Sequence, residues 1–173
     1  MKTYTNKQFK VMPWKNGLGM TTEMVKLSTG TETIFRLSRA RVDSDGPFSL
    51  FEGMDRYLMI LQGSGLWLFC TDFPDAQLTQ DSGPFFFSGD KEIHSSLIKG
   101  PVEDFNVMVK RGYARVEIKR YPSGECSDFT CENDCSYIYQ METDTLVELS
   151  KGETLNQFQG PGIMINLKIN SVG

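Results

Sequence analysis

Arg36 and Arg56 are the side chains whose chemistry points most directly to a ligand. A guanidinium has five hydrogen-bond donors and no lone pair, so it cannot bind a cation. It does clamp a carboxylate or a phosphate through two parallel hydrogen bonds. Arg36 lies within the alternating stretch 34–42, and Arg56 directly precedes the apolar stretch 57–62. Together they predict a site for a small anionic molecule.

Strand alternation sorts further polar side chains onto the face that carries Arg36. In the stretches 34–42 and 104–110, the residues on the inward faces include Arg36, Ser38, Asp104, Asn106 and Met108. An inward arginine needs a partner, because burying an unpaired charge is costly. Two interpretations stay open: Arg36 binds a ligand beside Asn106, or Arg36 pairs with Asp104 and contacts no ligand.

Aromatic, cationic and hydrogen-bonding residues are concentrated near the N-terminus. The group consists of Trp14, Lys15, Asn16, Thr21, Thr22 and Glu23. Such a density is typical of a loop that lines the mouth of a pocket. The Gly17-x-Gly19 pair is a weak phosphate motif, since it lacks the Gly-Lys-Thr ending of a nucleotide loop. The alternative is a turn that docks Trp14 on the core.

The elements that must position these residues are predicted to be β-strands, with little helix. Short β-branched or aromatic runs occupy residues 34–42, 57–62, 66–71, 105–110, 113–121, 136–141 and 162–169. Gly, Pro, Asp and Ser separate them, which is typical of an all-β barrel or sandwich. The 16 glycines suit the tight turns of such a fold.

The stretch 45–65 resembles the first motif of a cupin barrel in which the metal ligands have been replaced. In metal-binding cupins this motif carries two histidines and a glutamate ahead of a turn glycine. Aligned on Gly63, the stretch has Arg56 in place of the glutamate, and Ser49 and Phe51 in place of the histidines. The resemblance implies a cupin-like β-barrel that holds no metal and no other cofactor.

His94 is the only histidine of the chain. One imidazole excludes cupin metal sites that need two or three, and a lone His in the run 91–96 is more often solvated than catalytic. It also argues against Ser-His-Asp triads and Cys-His dyads, so no catalytic residue is assigned. General acid–base chemistry by Glu23, Asp55, Asp90 or Lys15 stays open, because no pair with a defined separation is apparent.

Composition limits the partners of the chain. Its 173 residues allow one compact body or two small barrels, and the net charge of −4 gives no basic surface for nucleic acid. Apolar runs fall short of the ~20 residues of a membrane span, so we expect a cytoplasmic protein that contacts no membrane. In that compartment Cys70, Cys126, Cys131 and Cys135 are expected to be free thiols, the last three in a polar loop.

Five ordered blocks closely resemble the HutD/Ves family. The blocks cover residues 14–23, 36–42, 45–56, 85–90 and 100–112. The resemblance implies a metal-free bicupin, which we divide into a first barrel at 1–111 and a degenerate second barrel at 112–173. HutD-like members are associated with histidine utilisation and with binding a small acidic metabolite of the formylglutamate type, as a brake on the pathway. Ves-like members are stress-associated and have no assigned activity.

The resulting hypothesis is a non-enzymatic protein that binds a small carboxylate metabolite. The residues expected to bind it are Trp14, Lys15, Asn16, Thr22, Glu23, Arg36, Ser38, Ser49, Phe51, Arg56, Phe87, Asn106 and Met108. Two alternatives are a metal-free isomerase or lyase and a protein-interaction module. A homodimer is compatible with all three. For Arg56 itself, an internal salt bridge to Asp55 or Asp104 is the competing interpretation.

Overall fold

Short alternating stretches of the chain fold almost entirely into antiparallel β-strands. The computed structural model describes residues 1–14 and 17–170. Its strands are β1 Lys2–Thr5, β2 Lys10–Pro13, β3 Gly19–Thr29, β4 Glu32–Val42, β5 Gly46–Pro47, β6 Met54–Gln62, β7 Leu66–Cys70, β8 Phe73–Leu78, β9 Phe85–Ser88, β10 His94–Leu97, β11 Val102–Lys110, β12 Ala114–Tyr121, β13 Cys126–Thr130, β14 Cys135–Gln140, β15 Thr145–Ser150, β16 Thr154–Gln159 and β17 Gly162–Ile169. The described helix is one 3-10 turn, Asn6–Gln8. The predicted all-β class is therefore confirmed.

The chain divides into two units, and the unit Lys10–Arg111 carries the predicted site residues. It contains a six-stranded sheet in the order β2-β3-β4-β11-β6-β9 and a four-stranded sheet in the order β5-β10-β7-β8. Apolar residues from both sheets form one buried cluster, which includes Val42, Leu58, Leu66, Leu68 and Ile93. The free energy gained by burying these apolar side chains is the main contribution that holds the two sheets of the unit together.

The register of the six-stranded sheet sets the position of the polar residues. On β4 and β11, Ser38 pairs with Asn106, and Arg36 pairs with Met108. On the other side of β11, Met108 pairs with Arg56 of β6. Directly opposed residues point to the same face of a sheet. Adjacent strands therefore present Arg36, Asn106 and Arg56 on one face.

The other unit consists of Met1–Phe9 and the chain from Gly112 onward. It has a five-stranded sheet in the order β1-β15-β14-β17-β12 and a two-stranded sheet formed by β13 and β16. Its core includes three aromatic rings, of Tyr121, Phe129 and Phe158, whose centroids lie 4.9 to 5.7 Å apart in edge-to-face arrangement. Such edge-to-face pairs add to the free energy gained from burying the rings.

Residues 1–9 belong to a different unit from the one expected. The hypothesis assigned residues 1–9 to the first barrel, but β1 pairs with β15, where Thr3 opposes Val147. Strand β1 supplies hydrogen-bond partners to the backbone of β15, which would otherwise be an open edge. That the unit containing residues 112–170 is a degenerate cupin barrel stays a prediction.

The cysteine segment is more ordered than the sequence suggests. The four thiols are free, as expected. However, Cys126 opens β13, Cys135 opens β14, and Cys131 is buried in the core between them. The expected polar loop was therefore wrong for residues 126–130, which form β13. Cys131 does lie in the connection between β13 and β14, but it is buried there because a small apolar thiol packs well inside a core. Among the described residues, no group of three or more His, Cys, Asp or Glu is placed to hold a metal ion.

Within residues 1–14 and 17–170, no helix is long and apolar enough to cross a membrane.

Candidate functional site

A cavity of about 510 Å³ opens in the unit Lys10–Arg111. Its walls are contributed by Met12, Pro13, Trp14, Thr21, Arg36, Ser38, Ala40, Pro47, Phe48, Ser49, Phe51, Arg56, Asp104, Asn106 and Met108. The volume lies within the range of small-molecule sites, and such sites typically combine apolar walls with a few placed polar groups. The polar residues of this lining come mainly from the face of the sheet that carries Arg36, Asn106 and Arg56.

Arg56 lies in the wall of this cavity and is almost completely buried, with 5% of its surface exposed. Its Nη2 donates a hydrogen bond to Asn106 Oδ1 at 2.8 Å, and its Nη1 donates to the Ser49 carbonyl oxygen at 3.2 Å. The remaining Nε is buried and has no hydrogen-bond partner. A buried donor without an acceptor costs free energy. Arg56 is thus a buried cation whose donors are only partly satisfied by the protein.

Three phenylalanine rings surround the Arg56 guanidinium. Its central carbon lies 5.5 Å from the centroid of Phe48, 5.1 Å from that of Phe51 and 4.8 Å from that of Phe87. These are cation–π distances, and the rings replace part of the lost hydration. Burial lowers the pKa of Arg56 to about 10, although the nearby Asp104 carboxylate opposes this shift. The side chain remains a full cation at neutral pH.

Asp104 is the buried carboxyl group of the cavity. It is 2% exposed, and Asn106 Nδ2 donates a hydrogen bond to its Oδ1 at 2.5 Å. Burial raises the pKa of Asp104 to about 7, and the Arg56 charge and the Asn106 hydrogen bond only partly oppose this rise. A carboxyl group in an apolar environment holds its proton more tightly because its ion is poorly solvated.

Arg36 has a partner of its own. Its Nε donates to Glu23 Oε2 on the neighbouring strand β3 at 2.7 Å, and the guanidinium lies 5.8 Å from the Phe51 centroid. The interpretation in which Arg36 pairs with Asp104 was therefore wrong. The alternative salt bridge from Arg56 to Asp55 was also wrong, because Asp55 accepts from Arg111 Nε at 3.1 Å. Arg56 reaches Asp104 only through Asn106.

Trp14 closes one side of the cavity, and neighbouring residues explain its position. Its Nε1 donates to Thr21 Oγ1 at 2.8 Å, which satisfies the indole donor. The ring packs against Gly19, where an added Cβ would lie 3.0 Å from the ring and 2.3 Å from the Arg41 carbonyl oxygen. The expected loop is therefore largely a hairpin of β2 and β3, in which Met12 opposes Thr21.

Most of the predicted site residues line the cavity. Those that do are Trp14, Arg36, Ser38, Ser49, Phe51, Arg56, Asn106 and Met108. Phe87 lies against the Arg56 guanidinium, and Glu23 holds Arg36 by an ion pair. Lys15 and Asn16 lie outside the described residues.

Thr22 does not line the cavity, and its neighbour Thr21 does. Alternation along β3 places Thr21 and Glu23 on one face and Thr22 on the other. Sequence reasoning also missed the apolar walls formed by Pro47 and Phe48. The alternation rule, applied from Glu23 backwards, would have selected Thr21. Pro47 is the second residue of the two-residue strand β5 and Phe48 follows it, so strand alternation gives no signal for them.

The raised pKa of Asp104 predicts a pH-dependent stability difference. The folded chain keeps this proton up to about pH 7, whereas an unfolded aspartate loses it near pH 4, so ionising the buried group opposes folding. Between those pH values, wild type should lose stability relative to Asp104→Asn as the pH rises. Urea unfolding across this range measures the difference. A difference that stays constant with pH would contradict a buried, protonated Asp104.

Comparison with known proteins identifies the family. A family model described as HutD matches residues 6–165. The chain belongs to the HutD family. One curated relative, an uncharacterised 21.2 kDa protein in the hutC 3′ region of Pseudomonas putida, is 37% identical over 56% of this chain and 52% of its own length. Protein Ves of Escherichia fergusonii is 30% identical over 69% of this chain and 63% of its own length. The chain thus spans between half and two thirds of these relatives.

Solved structures of similar proteins share the fold. HutD from Pseudomonas fluorescens SBW25, in a formate condition, has a TM-score of 0.78 and 23% identity over 98% of this chain and 99% of its own. A conserved protein of unknown function from Pseudomonas aeruginosa PAO1 has a TM-score of 0.71 and 25% identity over 98% of this chain and 92% of its own. At such low identity the likeness establishes the fold of this HutD family member.

Proposed function

We propose that this HutD family protein binds a small carboxylate-bearing metabolite of the formylglutamate type in the cavity and regulates histidine utilisation without acting as an enzyme. The observation that carries this proposal is the state of Arg56. The guanidinium is buried and partly unsatisfied, and no carboxylate of the described residues lies within ion-pair distance of it. A bound carboxylate would provide the acceptor oxygens that the protein does not.

The walls of the cavity suit the body of such a ligand. Phe48, Phe51 and Trp14 offer aromatic surface, while Ser38 and Asn106 offer hydrogen-bonding groups. Sites for small molecules typically hold the body of the ligand by apolar contact and orient it with a few polar groups. The predicted binding residues that line the cavity are thus chemically appropriate for a small acid.

The comparisons support the same pathway. The Pseudomonas putida relative is described by its place in the hutC 3′ region. This description makes histidine utilisation the pathway in which to look for the ligand.

The composition of the lining also favours binding over turnover. An isomerase or lyase of this type needs two proton carriers that face a common substrate position across the cavity. Among the described lining residues, Asp104 is the one carboxyl group, and none is a histidine, lysine, cysteine or tyrosine. The hydrogen bond from Asn106 engages Asp104 on one oxygen. This arrangement supports a binding role.

Calorimetric titration tests the proposal. Wild-type protein is titrated with formylglutamate, urocanate, glutamate and formate, and formamide serves as the uncharged counterpart of formate. We expect at least one acid to bind with a dissociation constant of about 1 mM or lower, and formamide not to bind. If none of the acids binds at millimolar concentration, the proposal is wrong.

A further inference from the structure

Three buried polar residues form a continuous row in the cavity wall. Arg56 on β6 donates to Asn106 Oδ1, and Asn106 on β11 donates through Nδ2 to Asp104 on the same strand. Both ends of the Asn106 amide are thus engaged. An amide turned by half a rotation would place its NH₂ against the guanidinium, so the two bonds define its orientation. Asp104 therefore contacts the Arg56 charge through one fixed side chain.

The other charged groups around Asp104 are already paired. Arg36 of β4 holds Glu23 of β3 at 2.7 Å. Glu103, next to Asp104 on β11, accepts from Arg39 of β4 at 3.0 Å. From β4, the backbone of Ala40 also favours the ionised form of Asp104. After these pairs are assigned, Arg56 and Asp104 remain as the cation and carboxyl group that balance one another in the buried wall.

A ligand carboxylate at Arg56 would upset this balance. It would add a second negative charge near one guanidinium, and like charges in a buried site disfavour the ionised form of each other. Two outcomes are available: the ligand binds weakly, or one of the two carboxyl groups takes a proton. The ligand carboxylate would be in contact with the guanidinium, which favours its ionised form. Asp104 is separated from the guanidinium by Asn106 and is poorly solvated, so it is the carboxyl group that takes the proton more easily.

We propose that Asp104 takes up a proton when an anionic group binds to Arg56, so that the buried wall gains no net charge. The proton comes from solvent and adds to the Asp104 carboxylate, and no other bond is made or broken. This inference rests on the proposed carboxylate-binding function. It assigns to Asp104 the role of a positioning residue that sets the charge state in which the cavity accepts its ligand. The raised pKa of Asp104 is in keeping with this role.

The proposal predicts how affinity depends on pH. Above the pH at which Asp104 ionises, each ligand bound requires one proton, so the dissociation constant should rise about tenfold per pH unit. Below that pH Asp104 already carries the proton, and the affinity should be constant as long as the ligand stays ionised. In Asp104→Asn, which is neutral at every pH, the dissociation constant should stay flat.

Formate is the probe for the experiment, because it carries a single carboxylate and nothing else that titrates. The dissociation constant for formate is measured by NMR titration between about pH 5.5 and about pH 8.5, a range that brackets neutrality. Calorimetry at about pH 8, in buffers with different ionisation enthalpies, gives the number of protons taken up per formate bound. Wild type should take up close to one proton, and Asp104→Asn about none.

His94→Asn is the matched control. His94 is the one histidine of the chain, is exposed and is absent from the lining of this cavity. His94→Asn should therefore take up as many protons as wild type. If the uptake is lost in His94→Asn and kept in Asp104→Asn, the inference is wrong.

The possible outcomes separate this inference from the proposed function. Formate binding without proton uptake overturns the role of Asp104 and leaves the binding function in place. If neither formate nor any of the other acids binds to wild type, both fall. Should Asp104→Asn not fold, the carboxyl carbon signal of Asp104 in wild type at about pH 8 decides. The chemical shift of this carbon must move toward the value of a protonated carboxyl group when formate is added. An unchanged chemical shift overturns the inference.

Discussion

Replacing Arg56 by alanine is expected to abolish carboxylate binding. The variant removes the buried cation whose donors are incompletely satisfied by the protein. Removing one partner of a buried, hydrogen-bonded charge pair costs about 2–5 kcal/mol, which corresponds to an affinity loss of roughly 30-fold or more. The acids that bind wild type should therefore give no measurable heat with Arg56→Ala under the same conditions.

Two further variants make this result specific. Arg41→Ala removes an arginine of the same unit that is 62% exposed and paired with Asp43, so it should bind as wild type does. Arg56→Lys keeps the positive charge but loses the planar guanidinium that donates two parallel hydrogen bonds to a carboxylate. This variant should bind the acids with intermediate affinity. Thermal unfolding checks that each variant is folded. A folded Arg56→Ala variant that binds the acids as tightly as wild type would show that other residues bind the carboxylate.

Substituting Gly65 by alanine is expected to cause a large loss of stability. Gly65 has a φ of +104°, and an added Cβ would lie 2.1 Å from the carbonyl oxygen of Leu78. The obstacle is backbone, and Leu66 and Leu78 pair directly in the hairpin of β7 and β8, so it cannot move aside without disturbing that pair. Backbone strain and overpacking together should cost about 2–5 kcal/mol, measured by urea unfolding.

Gly100→Ala separates the two causes of that loss. Gly100 also has a positive φ, of +67°, but an added Cβ would meet no atom within 4 Å. It should therefore lose only about 1 kcal/mol, the usual conformational cost of a non-glycine residue there. Equal losses in the two variants would show that the contact with Leu78 contributes nothing.

Seven of the 17 strands in the described part of the chain were predictable because their signals are local. The seven predicted runs all fall on strands, and the alternation of 34–42 and 104–110 correctly grouped Arg36, Ser38 and Asn106 on the cavity face. Alternation depends only on the geometry of the extended chain, so it survives whatever tertiary structure the chain adopts. β3 was expected to be a loop, and its alternation places Thr21 and not the expected Thr22 on the cavity face.

The partners of the polar residues were not predictable. Arg36 was expected to meet either a ligand or Asp104, yet its carboxylate is Glu23 on the neighbouring strand. Strand order and register decide which polar groups face one another, and neither is encoded in a single stretch of sequence. The same reason explains the misplaced N-terminal segment, because β1 pairs with β15 from the far end of the chain.

The all-β class, the family and the arginines that face the cavity can be recognised in the amino-acid sequence. They follow from alternation, from residue types and from ordered motif blocks, all of which are properties of the chain before it folds. The ion pair between Arg36 and Glu23, the partly unsatisfied Arg56 and the position of Asp104 behind Asn106 depend on the folded structure. The charge state of a site depends on burial and on distances between strands that are remote in sequence, and both exist only in the folded chain.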